Sequence, residues 1–366
     1  MYDFLIVGAG LFGSVFANEA KARGKKCLVI DKRNHIAGNI YTKKESNINV
    51  HQYGPHIFNT NSKRIWDYVN QFCEFNNFTY SPLANYNGEI FSLPFNMWTF
   101  NQLWGCVTPE EARSIINSQK LAIDKPANLE EWALSNVGKD IYEKLIKGYT
   151  KKQWMRDPKD LPSSIIKRLP LRFTYNNDYY NSKYSGIPIG GYTQISEKML
   201  DGVEVRLGVD FFNERETLEK ISKSIVYTGK IDELFDFKLG DLEYRCLNFE
   251  KKLLQKENYQ GVAGVNYTDY NTKFTRVIEH KHFEFKTEGP TIITKEYPVS
   301  YSREKVPYYP INDLKNNDIF KRYKKMAAEK TNYILGGRLA EYKYYNMDQV
   351  IGSSLVKSKR ILGDNK

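Results

Sequence analysis

The chain has 366 residues, 41% of them hydrophobic and 27% charged, which excludes intrinsic disorder and exceeds the ~250–300 residues over which one core keeps growing, so two or three structural units are expected. A formal charge of +11, from 54 Lys and Arg against 43 Asp and Glu, is moderate for this length and includes no long basic block, leaving a nucleic-acid binder, a basic surface or a cleft for a small anion. Four scattered cysteines (Cys27, Cys73, Cys106 and Cys246) without a CxxC pair argue against a disulfide scaffold and for reduced thiols in the cytoplasm, and the glycine-broken apolar start reads as neither signal peptide nor membrane span.

The predicted elements begin with an apolar strand, Phe4–Val7, then Gly8-Ala9-Gly10-Leu11-Phe12-Gly13, a helix over Ser14–Arg23 ended by Gly24, and a second apolar strand, Cys27–Ile30, closed by Asp31. Strand, glycine turn, helix, strand, acid is the order of a dinucleotide fold. Gly8 permits the tight turn, Gly10 lets backbone approach a pyrophosphate, and Gly13 lets helix pack closely on strand. The helix N-terminus offers N–H donors and positive dipole to phosphates, and Asp31 can accept hydrogen bonds from a ribose diol. The motif alone does not separate NAD from FAD. The next segment, Asp31-Lys32-Arg33-Asn34-His35-Ile36-Ala37-Gly38-Asn39, resembles the FAD-binding opening of amine-oxidase-like flavoproteins.

Residues 63–161 read as mostly helical, through Arg64–Phe72 and Pro109–Gln119, which have helix-period apolar residues, and a further pair, Leu129–Val137 and Lys139–Gly148, split at Gly138. From Arg172 onward strand signals dominate: Val203–Leu207, Ser224–Tyr227, Gly261–Tyr267, Phe274–His282 and Thr291–Tyr297 are rich in β-branched and aromatic residues. Gly190-Gly191-Tyr192 introduces a short helix to Leu200. A last strand, Tyr333–Leu335, leads through Gly336-Gly337-Arg338 to a helix opening at Asn346-Met347-Asp348. Such an ending closes a cofactor fold: Arg338 can pair with a pyrophosphate, and the helix N-terminus near Met347 can stabilise negative charge at a flavin edge. The expected fold class is α/β: a Rossmann-like FAD-binding domain with an inserted helical domain and an antiparallel or mixed β-sheet domain. The expected boundaries are 1–62 (FAD-binding, first part), 63–165 (mainly helical insert), 166–330 (β-sheet substrate domain interleaved with FAD-binding segments) and 331–366 (FAD-binding, closing strand and helix). His280 and His282 on one strand face lack a third ligand at suitable spacing, so no metal site is expected.

Further motifs follow in order: His56-Ile57-Phe58, Ser81-Pro82-Leu83-Ala84, Leu93-Pro94-Phe95-Asn96-Met97, Ile146-Lys147-Gly148-Tyr149-Thr150-Lys151-Lys152-Gln153-Trp154, Ile187-Pro188-Ile189-Gly190-Gly191-Tyr192, Tyr227-Thr228-Gly229, Leu242-Glu243-Tyr244-Arg245, Thr275-Arg276-Val277-Ile278-Glu279-His280, Thr294-Lys295-Glu296-Tyr297-Pro298, Pro307-Tyr308-Tyr309-Pro310 and Gly336–Tyr344. Across almost the whole chain this order resembles the bacterial UDP-galactopyranose mutase family. The resemblance implies an isomerase that interconverts pyranose and furanose forms of a UDP-galactose-type nucleotide sugar for cell-surface polysaccharide synthesis. In that family reduced flavin N5 is the nucleophile at the anomeric carbon, with no net redox, and the resemblance implies the same here. It implies FAD active when reduced, an external reductant such as NAD(P)H or a reductase, a cytoplasmic homodimer, and neither nucleic acid nor a membrane span.

By position in these motifs, Gly8, Gly10, Phe12, Gly13, Asp31, Lys32, Arg33, Gly38, Asn39, His56, Arg245, Gly337, Arg338 and Met347 are expected to hold the cofactor. The resemblance gives Arg168 and Arg276 to the diphosphate, where a planar fork binds phosphate oxygens bidentately. It carries Arg168 on a mobile loop, 161–171, whose closure excludes water. Tyr309 and Tyr344 match tyrosines that hydrogen-bond the diphosphate. Tyr149 and Tyr179 match the nucleotide pocket, and Trp154 and Glu296 match the sugar pocket. His56, with the two arginines, is expected to be catalytic. The chain departs from the family pattern at Asn59 (usually His), Tyr80 (usually Asn), Trp98 (usually Asn), Met155 (usually Gly) and Asn346 (usually an acid). Asn59, Tyr80 and Asn346 are therefore expected to line an altered sugar pocket taking an N-acetylated, deoxy or heptose sugar, against neutral drift within a galactose enzyme. The competing class is a flavin oxidoreductase of the amine-oxidase-like type, and a nucleic-acid-binding module is the third.

Overall fold

The computed structural model describes residues 1–166 and 171–363, and the chain divides into two compact units. The first comprises Met1–Asn77, Ser182–Tyr244 and Tyr309–Lys366. Its centre is a five-stranded sheet in the order Tyr333–Leu335, Ser222–Tyr227, Tyr2–Val7, Cys27–Asp31 and Glu204–Leu207, with every neighbour parallel. Parallel strands covered on both faces read as continuous apolar runs; Leu5, Ile6, Leu28, Val29, Ile30, Ile225 and Val226 are accordingly buried. The helix Leu11–Lys21 buries Leu11, Phe12, Val15 and Phe16, and the helix Met347–Leu362 is tied to it by Ser354 Oγ donating to the Phe12 carbonyl at 2.9 Å. A hairpin, Thr42–Glu45 with Ile48–His51, and a short pair, Phe58–Thr60 with Tyr184–Gly186, complete this unit's sheets.

The second unit comprises Phe78–Asn181 and Arg245–Tyr308. Its mixed seven-stranded sheet runs Pro307–Pro310, Tyr244–Leu254, Thr291–Val299, Arg276–Glu279, Gly264–Tyr267, Leu83–Tyr86 and Glu89–Ser92. The helices include Met97–Trp104, Pro109–Gln119 and Leu129–Asn136. Pro109 at the first turn, with Thr108 and Glu111 closing a capping box, sets the start of the second of these. Their apolar faces form one core with Phe91, Phe95, Met97, Phe100, Ile116 and Ile141.

Several elements differ from the sequence expectation. Inside the stretch read as helical, Leu83–Tyr86 and Glu89–Ser92 form a hairpin whose first strand pairs in parallel with Gly264–Tyr267. That pairing groups helical segment and mixed sheet in one unit, where the sequence divided the chain at 62, 165 and 330. The expected strand Phe274–His282 covers only Arg276–Glu279; His280–Glu284 is a 3-10 turn, so the two histidines do not share a strand face. His280 instead meets Thr294 Oγ1 at 2.8 Å and His282 meets Glu279 at 3.1 Å. The eleven-residue strand Tyr244–Leu254 escaped detection because the adjacent charges of Lys251 and Lys252, both exposed, interrupt its apolar pattern.

Candidate active site

In the first unit, the glycine turn has the geometry of a phosphate cradle. Gly8 has φ 109°, and a Cβ there would lie 2.0 Å from Thr228 Oγ1; one on Gly13 would lie 2.0 Å from the Gly8 carbonyl oxygen. Gly38, at φ 54°, faces Gly10 so closely that its Cβ would sit 2.9 Å from the Gly10 Cα. The helix after Gly10 carries no acid in its first turn, and no side chain among the described residues caps it. Bare N–H groups framed by glycines fit a pyrophosphate. Asp31 accepts from the Ala9 N–H at 2.8 Å and the Arg33 N–H at 2.9 Å, so it braces the turn. Arg33 donates to Asn39 Oδ1 at 3.0 Å and lies 4.5 Å over the Tyr53 ring, while Lys32 is exposed. The Phe12 ring is buried against the closing turn, where a Cβ on Gly336 would meet it at 2.1 Å. Its side chain is therefore used in packing. Gly337 follows with φ 80°.

The same unit holds His56, Arg338, Tyr309 and Tyr344. The His56 Nδ1 lies 2.9 Å from the Gly54 carbonyl oxygen, which can only accept, so the ring hydrogen sits on Nδ1 and Nε2 keeps its lone pair. Burial, opposed by the Gly54 bond and aided by the positive Arg338, pushes His56 down to about 4. Its backbone N–H donates to His51 Nδ1 at 3.2 Å. Arg338 lies 5.1 Å over the Tyr344 ring and 5.7 Å over Tyr309, and those two rings stack at 5.3 Å. Asn59 donates to the Ile57 carbonyl and accepts from Ser182 Oγ, both at 3.2 Å. Asn346 is exposed at the head of the last helix, its N–H donating to Gln349 Oε1 at 2.9 Å. Met347 begins that helix, but Asp348 in its first turn already places a carboxylate there.

In the second unit, strand register brings Arg276 opposite Glu296. The Arg276 Nε lies 3.6 Å from Glu296 Oε2, and its Nη2 donates to the Tyr149 hydroxyl at 3.2 Å. Glu296 is only 3% exposed; burial raises its carboxyl above the usual range, and Arg276 pulls it back in part. Tyr80, 5% exposed, is raised by burial and feels the charges of Arg276 and Glu296. Its ring meets Tyr179 edge-on at 5.8 Å and stacks on Tyr180 at 6.1 Å. A Cβ on Gly264 would meet the Tyr80 hydroxyl at 2.5 Å, so the ring fits only because that residue is glycine. Arg172, unflagged by the sequence reading, donates to the Asp178 and Tyr179 carbonyls and shapes the segment carrying Tyr179. Trp154 packs against the helical core. Met155 follows with φ 50°, exposed, its sulfur accepting from Ser300 Oγ at 3.6 Å. Exposed Trp98 donates from Nε1 to the Tyr175 carbonyl, and Arg245 is buried on its strand. Arg168 lies outside the described residues. Structure therefore gathers Arg276, Tyr149, Glu296, Tyr80 and Tyr179 in one unit and His56, Arg338, Tyr309 and Tyr344 in the other.

No helix among the described residues is long and apolar enough to cross a membrane, and none of their His, Cys, Asp and Glu side chains cluster in threes or more to hold a metal ion. Residues 144–344 match the family profile described as UDP-galactopyranose mutase, and residues 6–72 match an NAD(P)-binding Rossmann-like domain. The chain is 37% identical over 376 residues to a dTDP-fucopyranose mutase of Escherichia coli, covering all of both chains. It is 37% identical over 368 residues to a probable UDP-galactopyranose mutase of Klebsiella pneumoniae, covering 98% of this chain and 94% of that one. Among solved structures, a reduced UDP-galactopyranose mutase superposes with TM-score 0.77 at 13% identity, covering 99% of this chain and 94% of that one; at that identity the likeness speaks for the fold. A Rossmann-like domain within this fold implies a flavin cofactor, and the glycine cradle accommodates one. With a matching profile over more than half its length and relatives aligned end to end, the chain belongs to the UDP-galactopyranose mutase family.

Proposed function

We propose that the protein is a pyranose–furanose mutase of a nucleotide sugar whose sugar differs from plain galactose, with a deoxyhexose the leading candidate among N-acetylated, deoxy and heptose forms. The observation that carries the reading is the Arg276 guanidinium, oriented by Tyr149 at 3.2 Å and Glu296 at 3.6 Å in a chain of this family. A cation held from two sides meets a diphosphate without reorganising, which is how charge on a leaving group is best stabilised. The full-length likeness to a protein named dTDP-fucopyranose mutase supports the deoxy sugar, as does the bulk of Tyr80 beside this cluster. Reduced FAD, when bound, supplies the nucleophile for the anomeric carbon with no net redox.

The chain's own residues then bind, orient and exclude water. Gly8, Gly10 and Gly13 receive the cofactor pyrophosphate, and Asp31 its ribose. Arg276 holds the diphosphate through departure and return, with Arg168 as the second cation expected from the family pattern. By the family pattern, Tyr309 and Tyr344 offer hydroxyl donors to a diphosphate, and Tyr149 and Tyr179 offer ring faces to a base. His56, neutral with its hydrogen on Nδ1, presents Nε2 as an acceptor for a sugar hydroxyl. An external reductant, NAD(P)H or a reductase, and a cytoplasmic homodimer complete the proposal.

The test is product analysis of the flavin-loaded enzyme, with and without dithionite. The panel is UDP-galactose, UDP-N-acetylgalactosamine, a heptose nucleotide and dTDP- and UDP-linked 6-deoxyhexoses. We expect furanose products only after reduction, without one reductant consumed per turnover, and the fastest conversion with a deoxyhexose. UDP-galactose as clearly the best substrate would remove the altered-sugar reading. Stoichiometric oxidation of the sugar would replace the mutase by an oxidoreductase.

A further inference from the structure

Of the motif Gly148-Tyr149-Thr150-Lys151-Lys152-Gln153-Trp154, the reading above uses Tyr149 and Trp154 and leaves Lys152 without a task. Lysine is almost never fully buried unless its ammonium is satisfied, yet Lys152 is 7% exposed. Its Nζ donates to the Tyr267 carbonyl at 2.8 Å and the Phe274 carbonyl at 3.1 Å. Those carbonyls stand on either side of the neck of one hairpin. The Gly264–Tyr267 and Arg276–Glu279 strands pair through Asn266 and Arg276 as their last rung, and the Tyr267 N–H then donates to the Thr275 carbonyl at 2.9 Å. Lys152 therefore clamps the hairpin just beyond its last rung, at Tyr267 one residue after Asn266 and at Phe274 two residues before Arg276.

The helix Gly148–Trp154 is pressed onto the same hairpin. A Cβ on Gly148 would lie 2.3 Å from the Thr268 carbonyl oxygen and 3.0 Å from the Tyr270 nitrogen, so backbone meets backbone there. Gly148 and Lys152 stand four apart, and Tyr149 and Lys152 three apart, which puts all three on one helix face. The preceding turns, Tyr142–Lys147, are π-helical; such turns shift the face that follows them and recur at functional sites. From this one face Gly148 sets the approach, Lys152 pins the hairpin neck, and Tyr149 receives Arg276.

We propose that Lys152 is a positioning residue for Arg276: by bridging the Tyr267 and Phe274 carbonyls it fixes the hairpin against the helix and thereby sets the Tyr149–Arg276 hydrogen bond that presents the guanidinium to a diphosphate. The proposal rests on the reading that Arg276 binds the diphosphate. A hairpin without the clamp still carries Arg276, but over a wider spread of positions, so diphosphate affinity falls while the fold persists.

The test is a double-mutant cycle on the flavin-loaded enzyme, with UDP as probe, affinity by calorimetry and the unfolding midpoint alongside. The variants are Lys152→Met, Arg276→Ala and both together. Lys152→Met is expected to weaken UDP about tenfold in the native background and less than about twofold when Arg276 is already Ala, since interacting sites are non-additive. An equal loss in both backgrounds would mean that Lys152 acts on the fold at large, and no loss in the native background would mean that it sets nothing; either overturns the proposal alone. Unchanged affinity in Arg276→Ala would overturn the diphosphate reading itself, and the positioning role with it. Should Lys152→Met not fold, Lys152→Gln, which keeps one amide donor, runs through the same cycle with the same two outcomes.

Discussion

His56 shows how much one hydrogen bond decides at the scale of a residue. The Gly54 carbonyl places the proton on Nδ1 and burial pushes the ring down to about 4, so the neutral form is the working one at ordinary pH. A histidine held neutral in the fold but ordinary in the unfolded chain makes stability depend on pH in a known direction. Between about 6.5 and 4 the unfolded chain binds the proton and the folded one does not, so stability is complete above that window and is lost as pH falls through it. Comparing unfolding midpoints at pH 7 and pH 5, we expect the native protein to lose roughly 1–2 kcal/mol more than His56→Gln, at about 1.4 kcal/mol per pH unit. Equal losses would show that the ring does not titrate in this way. His56 could be singled out from its motif, but its tautomer could not, because that depends on a carbonyl placed by the turn at Gly54. The same holds for Lys152, one lysine among many until the Tyr267 and Phe274 carbonyls are seen on either side of its ammonium.

Elements divide sharply into those their own residues specify and those their partners specify. The glycine turn belongs to the first kind: Gly8 needs φ 109° and has no room for a Cβ beside Thr228. Gly8→Ala is expected to abolish flavin retention through purification, read from the visible spectrum. Gly24→Ala also meets a positive φ, 69°, but has nothing within 4 Å of the added carbon; it should cost about 1 kcal/mol of stability while keeping the flavin. Flavin loss in both, or in neither, would show that the cradle is not the reason. The hairpin Leu83–Tyr86 with Glu89–Ser92 belongs to the second kind. Four-residue strands carry too little periodicity to stand out between helices, and this one exists because Gly264–Tyr267, far along the chain, pairs with it. The strand expected over Phe274–His282 failed for a related reason: apolar alternation marks burial, but the strand ends at Glu279, whose carboxylate accepts from Tyr259 N–H, Gln260 N–H and Thr291 Oγ1 and meets His282 from the following turn at 3.1 Å.

For the whole molecule, the +11 charge is best tested by salt. If it serves a small dianion, UDP affinity should fall about tenfold between low and physiological ionic strength, as screening predicts for partly exposed charges, while nucleic acid shows no comparable binding. An affinity indifferent to salt would mean that the surplus lies away from the site. The sequence by itself determined the dinucleotide turn, the parallel core strands and the family, because those are written in local order: glycines where no Cβ fits, apolar runs buried on both faces, motifs kept in register along the chain. Only the tertiary structure decided which segments share a unit, which of many arginines and tyrosines face one another, and what Lys152 does. Local periodicity records whether a residue is buried and not which distant residue buries it; the Arg276–Glu296 register, the fit of Tyr80 over Gly264 and the clamp on the hairpin neck all arise from pairings across long sequence separations.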